Sequence, residues 1–102
     1  MSLKKQYLKS KPVCKTTFSL DKEFVSGADK VELLGDFNNW DAKQAISLKK
    51  LKNGTFKATL DLPSDVEFQF KYLLNNEKWI NDNLADKYEI GGLGQQNSVV
   101  IL

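Results

Sequence analysis

The stretch Asn53-Gly54-Thr55-Phe56-Lys57-Ala58-Thr59-Leu60-Asp61-Leu62 decides the fold class of this chain. Apolar and polar side chains alternate from Phe56 to Leu62, which is the period of a strand with one buried face and one wet face. The Asn-Gly pair before this run is the strongest short signal for a β-hairpin. The stretch therefore predicts an antiparallel hairpin that joins residues 45–51 to residues 55–62.

Strand signals of the same kind recur on both sides of this hairpin. Alternation over residues 13–20 and 66–74, and the apolar runs 31–34 and 97–102, predict further strands. About seven short strands, with a turn roughly every 8–12 residues, are typical of an immunoglobulin-like β-sandwich. The residues expected to fill the core between its two sheets are Phe18, Val31, Leu33, Phe56, Leu60, Phe68, Phe70 and Tyr72.

The length and the charge distribution limit the possible functions. A chain of 102 residues fits one domain with one core. All 15 basic residues are Lys, and the absence of Arg argues against nucleic-acid binding, because Arg makes the bidentate contacts to bases and phosphates. Five Lys and no acid stand in the first fifteen residues. We therefore expect residues 1–12 to be a solvated basic leader and residues 13–102 to form the sandwich.

Location and membrane contact follow from what the sequence lacks. No apolar run approaches the roughly 20 residues of a membrane span, so we expect no membrane contact. The amino terminus has no apolar signal-peptide core, and the expected location is cytoplasmic. Cys14 is the single cysteine, and we expect it to be a small core residue rather than a disulfide partner or a nucleophile.

Catalysis and metal binding have little support. The chain has no His to activate a nucleophile, and no Ser stands at a Gly-flanked elbow. The loop acids Asp36, Asp41, Asp82 and Asp86 offer an acid–base pair in principle, and Asp82, Asn83 and Asp86 offer a calcium site. Scattered loop acids are usually solvated, and this spacing is not that of an EF-hand. We predict no catalytic residue, no metal and no cofactor.

Two tryptophans at strand ends point to recognition instead. The turn Gly35-Asp36-Phe37-Asn38-Asn39-Trp40 closes the run 31–34, and Asn and Asp in a turn bond their own backbone and hold it rigid. Trp79 lies at a second junction, and Lys71 points to the wet face of the preceding strand. Two aromatic faces with a nearby Lys suit a pyranose ring, which has an apolar face and a rim of hydroxyls. The alternative is that one or both tryptophans pack in the core or at a sheet edge.

Six motifs follow one another along the chain: Gly35-Asp36-Phe37-Asn38-Asn39-Trp40, Asn53-Gly54-Thr55-Phe56, Leu60-Asp61-Leu62-Pro63, Phe68-Gln69-Phe70-Lys71-Tyr72, Trp79, and Asn97-Ser98-Val99-Val100. This succession resembles carbohydrate-binding module family 48 over about residues 13–102. The family includes the domain at the front of isoamylases and glycogen branching enzymes and the glycogen-binding domain of AMP-activated protein kinase β subunits. The resemblance implies an early-set immunoglobulin-like sandwich that binds α-1,4-linked glucan such as glycogen, starch or maltooligosaccharide.

The resemblance also implies which residues contact the sugar. Trp40 and Trp79 match the two tryptophans on which sugar rings stack, and Lys71 matches a lysine that bonds sugar hydroxyls. The turn Asn75-Asn76-Glu77-Lys78 before Trp79 is one residue longer than in the kinase subunits. A slip of one residue within the strand would turn Trp79 to the other face, whereas a turn that absorbs the extra residue would leave it in place.

Three further contacts are implied in the loop and strand at the end of the chain. Leu93 matches a leucine that packs on the sugar, and Asn97 matches an asparagine that bonds it. Gln95 stands where the kinase subunits have a threonine. The residues leave two other functions open: a protein-interaction or regulatory module with the same fold, whose partner is a glycan enzyme or a kinase-like regulator, and an accessory subunit of a glycan-active enzyme.

Overall fold

The computed structural model describes residues 3–25, 27–91 and 94–102. Their regular structure consists of ten β-strands and two single-turn 3₁₀ helices, Asp36–Asn38 and Ala42–Gln44. None of the described helices is long and apolar enough to cross a membrane. The strands are β1 (Leu3–Tyr7), β2 (Val13–Leu20), β3 (Val31–Gly35), β4 (Ile46–Ser47), β5 (Lys49–Lys50), β6 (Phe56–Pro63), β7 (Glu67–Leu74), β8 (Lys78–Ile80), β9 (Lys87–Ile90) and β10 (Gln96–Ile101).

The strands form two antiparallel sheets. The first has the order β1-β2-β6-β5, and the second has the order β4-β3-β7-β10-β9, with β8 also paired to β7. The predicted all-β, immunoglobulin-like sandwich is confirmed. The predicted hairpin is present as β5 and β6, with Lys50 paired to Phe56.

The core lies between the sheets, and the eight residues expected there are in it or packed against it. Phe68 and Leu60 are partly buried and pack against it, and the other six are buried in it. The rings of Phe18 on β2 and Phe70 on β7 meet edge to face, with centroids 5.2 Å apart. Cys14 is also buried in this core, as expected of a small apolar residue.

Two strands lie in segments for which the sequence predicted none. In the segment expected to be a solvated leader, β1 pairs with β2, where Leu3 is buried opposite Phe18. Lys5 of β1 forms an ion pair with Asp86, at 2.6 Å, so the positive charge of this segment is partly compensated. The second strand is β9, which lies inside the polar loop expected over residues 81–96 and pairs with β10. These two additions and the division of residues 45–51 into β4 and β5 raise the strand count above seven.

Candidate functional site

The turn after β3 holds Trp40 in place through its own backbone. Gly35 is needed at the start of this turn, because a Cβ there would lie 2.5 Å from the backbone oxygen of Gln69. The buried Asn38 closes the turn: its Oδ1 accepts from the Gly35 amide at 2.9 Å, and its Nδ2 donates to the Leu33 carbonyl at 3.1 Å. Trp40 itself has a left-handed backbone, with a φ of 57°. The turn therefore fixes the direction in which the indole leaves the sheet.

Asp36 fixes the indole a second time. Its Oδ1 accepts from the Nε1 of Trp40 at 3.0 Å, and its Oδ2 accepts from the backbone amide of Gln69 at 2.7 Å. One carboxylate thus joins the ring to the middle strand of the sheet. Charged acceptors make stronger hydrogen bonds than neutral ones, so this link limits the motion of the ring.

The turn between β7 and β8 determines where Trp79 points. Asn75 and Asn76 both have left-handed backbones, at φ of 51° and 59°. The turn consists of residues 75–77, β7 and β8 pair without interruption on either side of it, and the register pairs Trp79 with Leu73. Residues directly opposite in an antiparallel pair share a face, and so do residues two apart on one strand. Trp79 therefore lies on the same outer face of the sheet as Lys71.

The two tryptophans lie side by side. Their ring centroids are 6.4 Å apart, and the ring planes are inclined by 51°. The Trp79 side chain is 46% exposed and Trp40 is partly buried, so neither indole belongs to the core of the sandwich. Leu34 and Leu73 are buried on this outer face, outside the core cluster. The two rings form a ridged aromatic surface on this face of the sheet.

Lys71 lies where two strands meet on one edge of β7. β3 pairs along one edge of β7. On the opposite edge, β10 pairs with the first half of β7 and β8 pairs with the second half. At their junction the Gln96 carbonyl accepts from Lys71 Nζ at 3.1 Å and from Asn81 Nδ2 at 3.0 Å. An ammonium group has three donors, and within the described part of the chain Lys71 uses one of them, for the Gln96 carbonyl.

The other implied contact residues lie in and after the β9–β10 loop. Leu93 lies outside the described residues. The Gln95 side chain is exposed, and its backbone oxygen accepts from the Gly91 amide at 2.7 Å. Asn97 is only 7% exposed and donates from Nδ2 to Gln69 Oε1 at 2.9 Å. Its Oδ1 is buried and has no hydrogen-bond partner among the described residues.

The sequence did not predict a network of polar and charged side chains that lies beside Asn97. Gln69 Nε2 donates to Glu89 Oε2 at 3.2 Å, and Lys87 contacts Glu67 and Glu89 at 2.8 Å each. The hydrogen bond and the charge of Lys87 lower the pKa of Glu89 below its ordinary value, so this carboxyl group is ionised at neutral pH. The outward position of Gln69 was readable from the alternation over residues 66–74, but its partners depend on the strand order β7-β10-β9.

The loop acids that were considered for catalysis or calcium are engaged by protein donors. Asp82 is fully buried and accepts from the Tyr72 hydroxyl at 2.8 Å. Asp86 accepts from Lys5 and from the Ile101 amide. Asp41 accepts from the Lys43 amide, and Asp36 holds Trp40. The described residues include no group of three or more His, Cys, Asp or Glu arranged to hold a metal ion.

Comparisons with known proteins agree with this architecture. Two crystal structures of enterobactin (enterochelin) esterase from Shigella flexneri, one of them in the presence of enterobactin, superpose on the chain with a TM-score of 0.74 and 15% sequence identity. The superpositions cover 99% and 98% of this chain but only 33% and 32% of those chains, so the protein spans about a third of their length. At this identity the likeness concerns the fold alone.

Sequence comparison is more specific. No curated protein matches the chain. Residues 18–100 match the family described as the glycogen recognition site of AMP-activated protein kinase, and this range includes the turn after β3, all of β7 and β8, and most of β10. A match over most of the chain, on a two-sheet sandwich that brings both tryptophans to one face, shows that the chain belongs to this family of glycogen recognition domains.

Proposed function

We propose that this protein is a non-catalytic module that binds α-1,4-linked glucan at the surface of Trp40, Trp79 and Lys71. The observation that carries the proposal is the pairing of the two indoles, 6.4 Å apart and inclined by 51°, on an exposed face beside a lysine. Inclined rings suit successive units of a curved chain, and α-1,4 links curve a glucan whereas β-1,4 links extend it flat. Membership of a glycogen recognition family supports the same ligand.

The size of the surface limits the affinity. If a sugar ring covers about 50 Å² of apolar surface on each indole, each contact contributes roughly 1–1.5 kcal/mol. A few hydrogen bonds from Lys71 and neighbouring groups add to this, and the ordering of the sugar subtracts from it. The expected dissociation constant lies roughly between micromolar and millimolar. Affinity on a polymer is higher than on one oligosaccharide where several modules or sites act together.

Isothermal titration calorimetry with maltoheptaose and cellohexaose tests the proposal. We expect heat with maltoheptaose only, and little change between low and high salt, because the ligand is neutral. Affinity electrophoresis in gels cast with glycogen or amylopectin extends the test to polymers. Absence of binding to every α-glucan would overturn the proposal and favour a protein-interaction role. The first surface to examine for it is formed by the exposed Tyr88 and Ile90 on the edge strand β9 and by the exposed Leu84 in the loop before it.

A further inference from the structure

A single backbone carbonyl connects Lys71 to the segment that follows Trp79. Asn81 comes directly after β8, two residues beyond Trp79, and its Nδ2 donates to the Gln96 carbonyl at 3.0 Å. Lys71 Nζ donates to the same carbonyl at 3.1 Å. A carbonyl oxygen has two lone pairs, and these two donors suffice to occupy both. The carboxamide of Asn81 and the ammonium group of Lys71 are therefore neighbours.

Hydrogen-bond partners fix the direction of the Asn81 carboxamide. The oxygen and nitrogen ends of an amide have almost the same shape, so only the partners distinguish them. The Gln96 carbonyl can only accept, and it therefore selects the Nδ2 end. The Oδ1 end is left for the Ser98 hydroxyl, which donates to it at 2.9 Å.

The Ser98 hydroxyl is held in turn by the backbone. Ser98 is fully buried on β10, and its Oγ accepts from the Asp82 amide at 2.8 Å. An amide N–H can only donate, so the one hydrogen of the hydroxyl is available for Asn81. Asp82 is itself fully buried and accepts from the Tyr72 hydroxyl at 2.8 Å. The direction of the Asn81 carboxamide is thus set from the interior of the sandwich.

This direction decides how Lys71 is held. Because Nδ2 of Asn81 faces the shared carbonyl, the acceptor that Lys71 meets at this junction is the carbonyl and not the amide oxygen. An ammonium group anchored by one hydrogen bond keeps its position and can still donate to a ligand. If an oxygen replaced Nδ2, Lys71 would lie between two acceptors and would be drawn away from a ligand.

We propose that Asn81 is a positioning residue for Lys71: it gives the Gln96 carbonyl a fixed, neutral donor, so that the carbonyl anchors the ammonium group beside the aromatic surface without capturing it. The inference rests on the proposed function and deepens it. Asn81 acts through the Gln96 carbonyl and does not need to touch the glucan. One short segment then carries both a stacking ring, Trp79, and the group that places the lysine.

The substitution Asn81→Asp tests this role. Aspartate keeps the shape of the side chain and the acceptor for Ser98, but it replaces the donor with a negative charge beside Lys71. We expect the carboxylate to capture the ammonium group and to weaken maltoheptaose binding by about three- to tenfold, the value of a hydrogen bond from Lys71. Salt screens an ion pair at a wet surface, so higher salt should restore part of the affinity of Asn81→Asp.

A double-mutant cycle separates positioning from a general effect on the fold. In the Lys71→Met background no ammonium group can be misplaced, so Asn81→Asp should change the affinity by less than about twofold. NMR titration with maltoheptaose gives the four dissociation constants. Asn53→Asp is the matched control: it makes the same change in the turn between β5 and β6, where the new carboxylate can still accept from the Thr55 amide, and it should bind normally.

The outcomes separate this inference from the proposed function. Equal losses from Asn81→Asp in the two backgrounds, or no loss in either, would overturn the positioning role while leaving α-glucan binding intact. Failure of the natural protein to bind maltoheptaose and glycogen would overturn the proposed function and this role with it. If Asn81→Asp does not fold, spectra without ligand decide. The Asn81 Nδ2 resonances should move in Lys71→Met, which removes the other donor to the shared carbonyl, and unchanged resonances would contradict the proposal.

Discussion

The indole nitrogen of Trp40 donates to the carboxylate of Asp36 across 3.0 Å, and the same carboxylate accepts from the backbone of β7 at 2.7 Å. Asp36 therefore holds the aromatic surface to the strand that carries Gln69 and Lys71. The carboxylate thus joins a turn and a strand whose bonded residues are 33 apart in sequence.

Asp36→Asn tests this link. The asparagine can still accept from the Trp40 indole through its oxygen, but its NH₂ group cannot accept from the Gln69 amide. We expect a loss of about 1 kcal/mol in the free energy of unfolding and a several-fold loss in maltoheptaose affinity. Urea unfolding and calorimetry measure the two effects. Asp41→Asn is the control, because among the described residues the Asp41 carboxylate accepts only from the Lys43 amide nearby in sequence; equal effects of the two variants would contradict the special role of Asp36.

Stacking should contribute more to binding than the lysine does. Trp40→Ala is expected to lose at least about 1–2 kcal/mol of binding free energy, which removes a weak interaction from practical detection. Lys71→Ala should lose about 0.5–1.5 kcal/mol, the net value of hydrogen bonds at a wet surface. Calorimetry with maltoheptaose compares them. Tyr7→Ala, which removes an aromatic ring that is 55% exposed elsewhere on the sandwich, should bind normally. Equal heats for Trp40→Ala and the natural protein would overturn the sugar site.

The buried pair of Tyr72 and Asp82 should stabilise the fold in a pH-dependent way. Tyr72→Phe leaves the Asp82 carboxylate without one of its buried donors and is expected to cost about 1.5–3 kcal/mol in urea unfolding. Burial raises the pKa of Tyr72 well above its ordinary value of 10.0, and the negative charge of Asp82 and their hydrogen bond raise it further.

The sign of the pH effect follows from that direction. A phenol whose pKa is higher in the folded state contributes its full stability below pH 10.0, the ordinary value. As the pH rises above 10.0, the phenol of Tyr72 loses its proton in the unfolded chain but keeps it in the folded protein, and the contribution to stability is lost by the time the pH passes the higher folded pKa. The difference in unfolding free energy between the natural protein and Tyr72→Phe should therefore shrink above pH 10.0. A constant difference from pH 8 to pH 11 would contradict this.

Glu89 should titrate below its ordinary pKa of 4.5, because of the hydrogen bond and charge of Lys87. A lowered carboxyl pKa contributes stability above the unfolded value, and this contribution is lost as the pH falls through the folded value. Carbon-detected NMR of the Glu side chains measures the titration directly. In Lys87→Met the pKa of Glu89 should move back toward 4.5. A pKa of Glu89 that does not change in this variant would show that Lys87 is not the cause.

The sandwich was predictable because its central strands alternate. Residues 55–62 and 66–74 each have one apolar face, and the sandwich buries the two faces against each other. The strand β1 was hidden by its composition: Lys4, Lys5 and Gln6 are its central residues, there is no apolar–polar alternation, and only Leu3 is buried. The strand β9 carried a readable signal, since Tyr88 and Ile90 alternate with Lys87 and Glu89. This signal is only four residues long and lies in a polar, Gly-containing segment whose composition is typical of a loop.

The site was predictable only in part. Resemblance to a family indicated Trp40, Lys71 and Trp79, and the polar turn around Trp40 was readable by itself. The contacts of Gln69 were not, because they require two strands that are distant in sequence to lie on either side of β10. Hydrogen bonds between outward-facing amides leave no periodic pattern, so no property of residue 69 alone predicts them.

The left-handed backbone of Trp40 has a consequence for evolution. A residue with a side chain pays roughly 1 kcal/mol or more to adopt this conformation, whereas glycine adopts it freely. Of two variants that both lack the indole, Trp40→Gly should therefore resist urea better than Trp40→Ala. A chain selected for stability alone would replace this tryptophan early. On the proposed function, the presence of this tryptophan in a left-handed turn trades folding stability for a recognition surface, and thermal selection without a ligand would be expected to reverse that trade at this position.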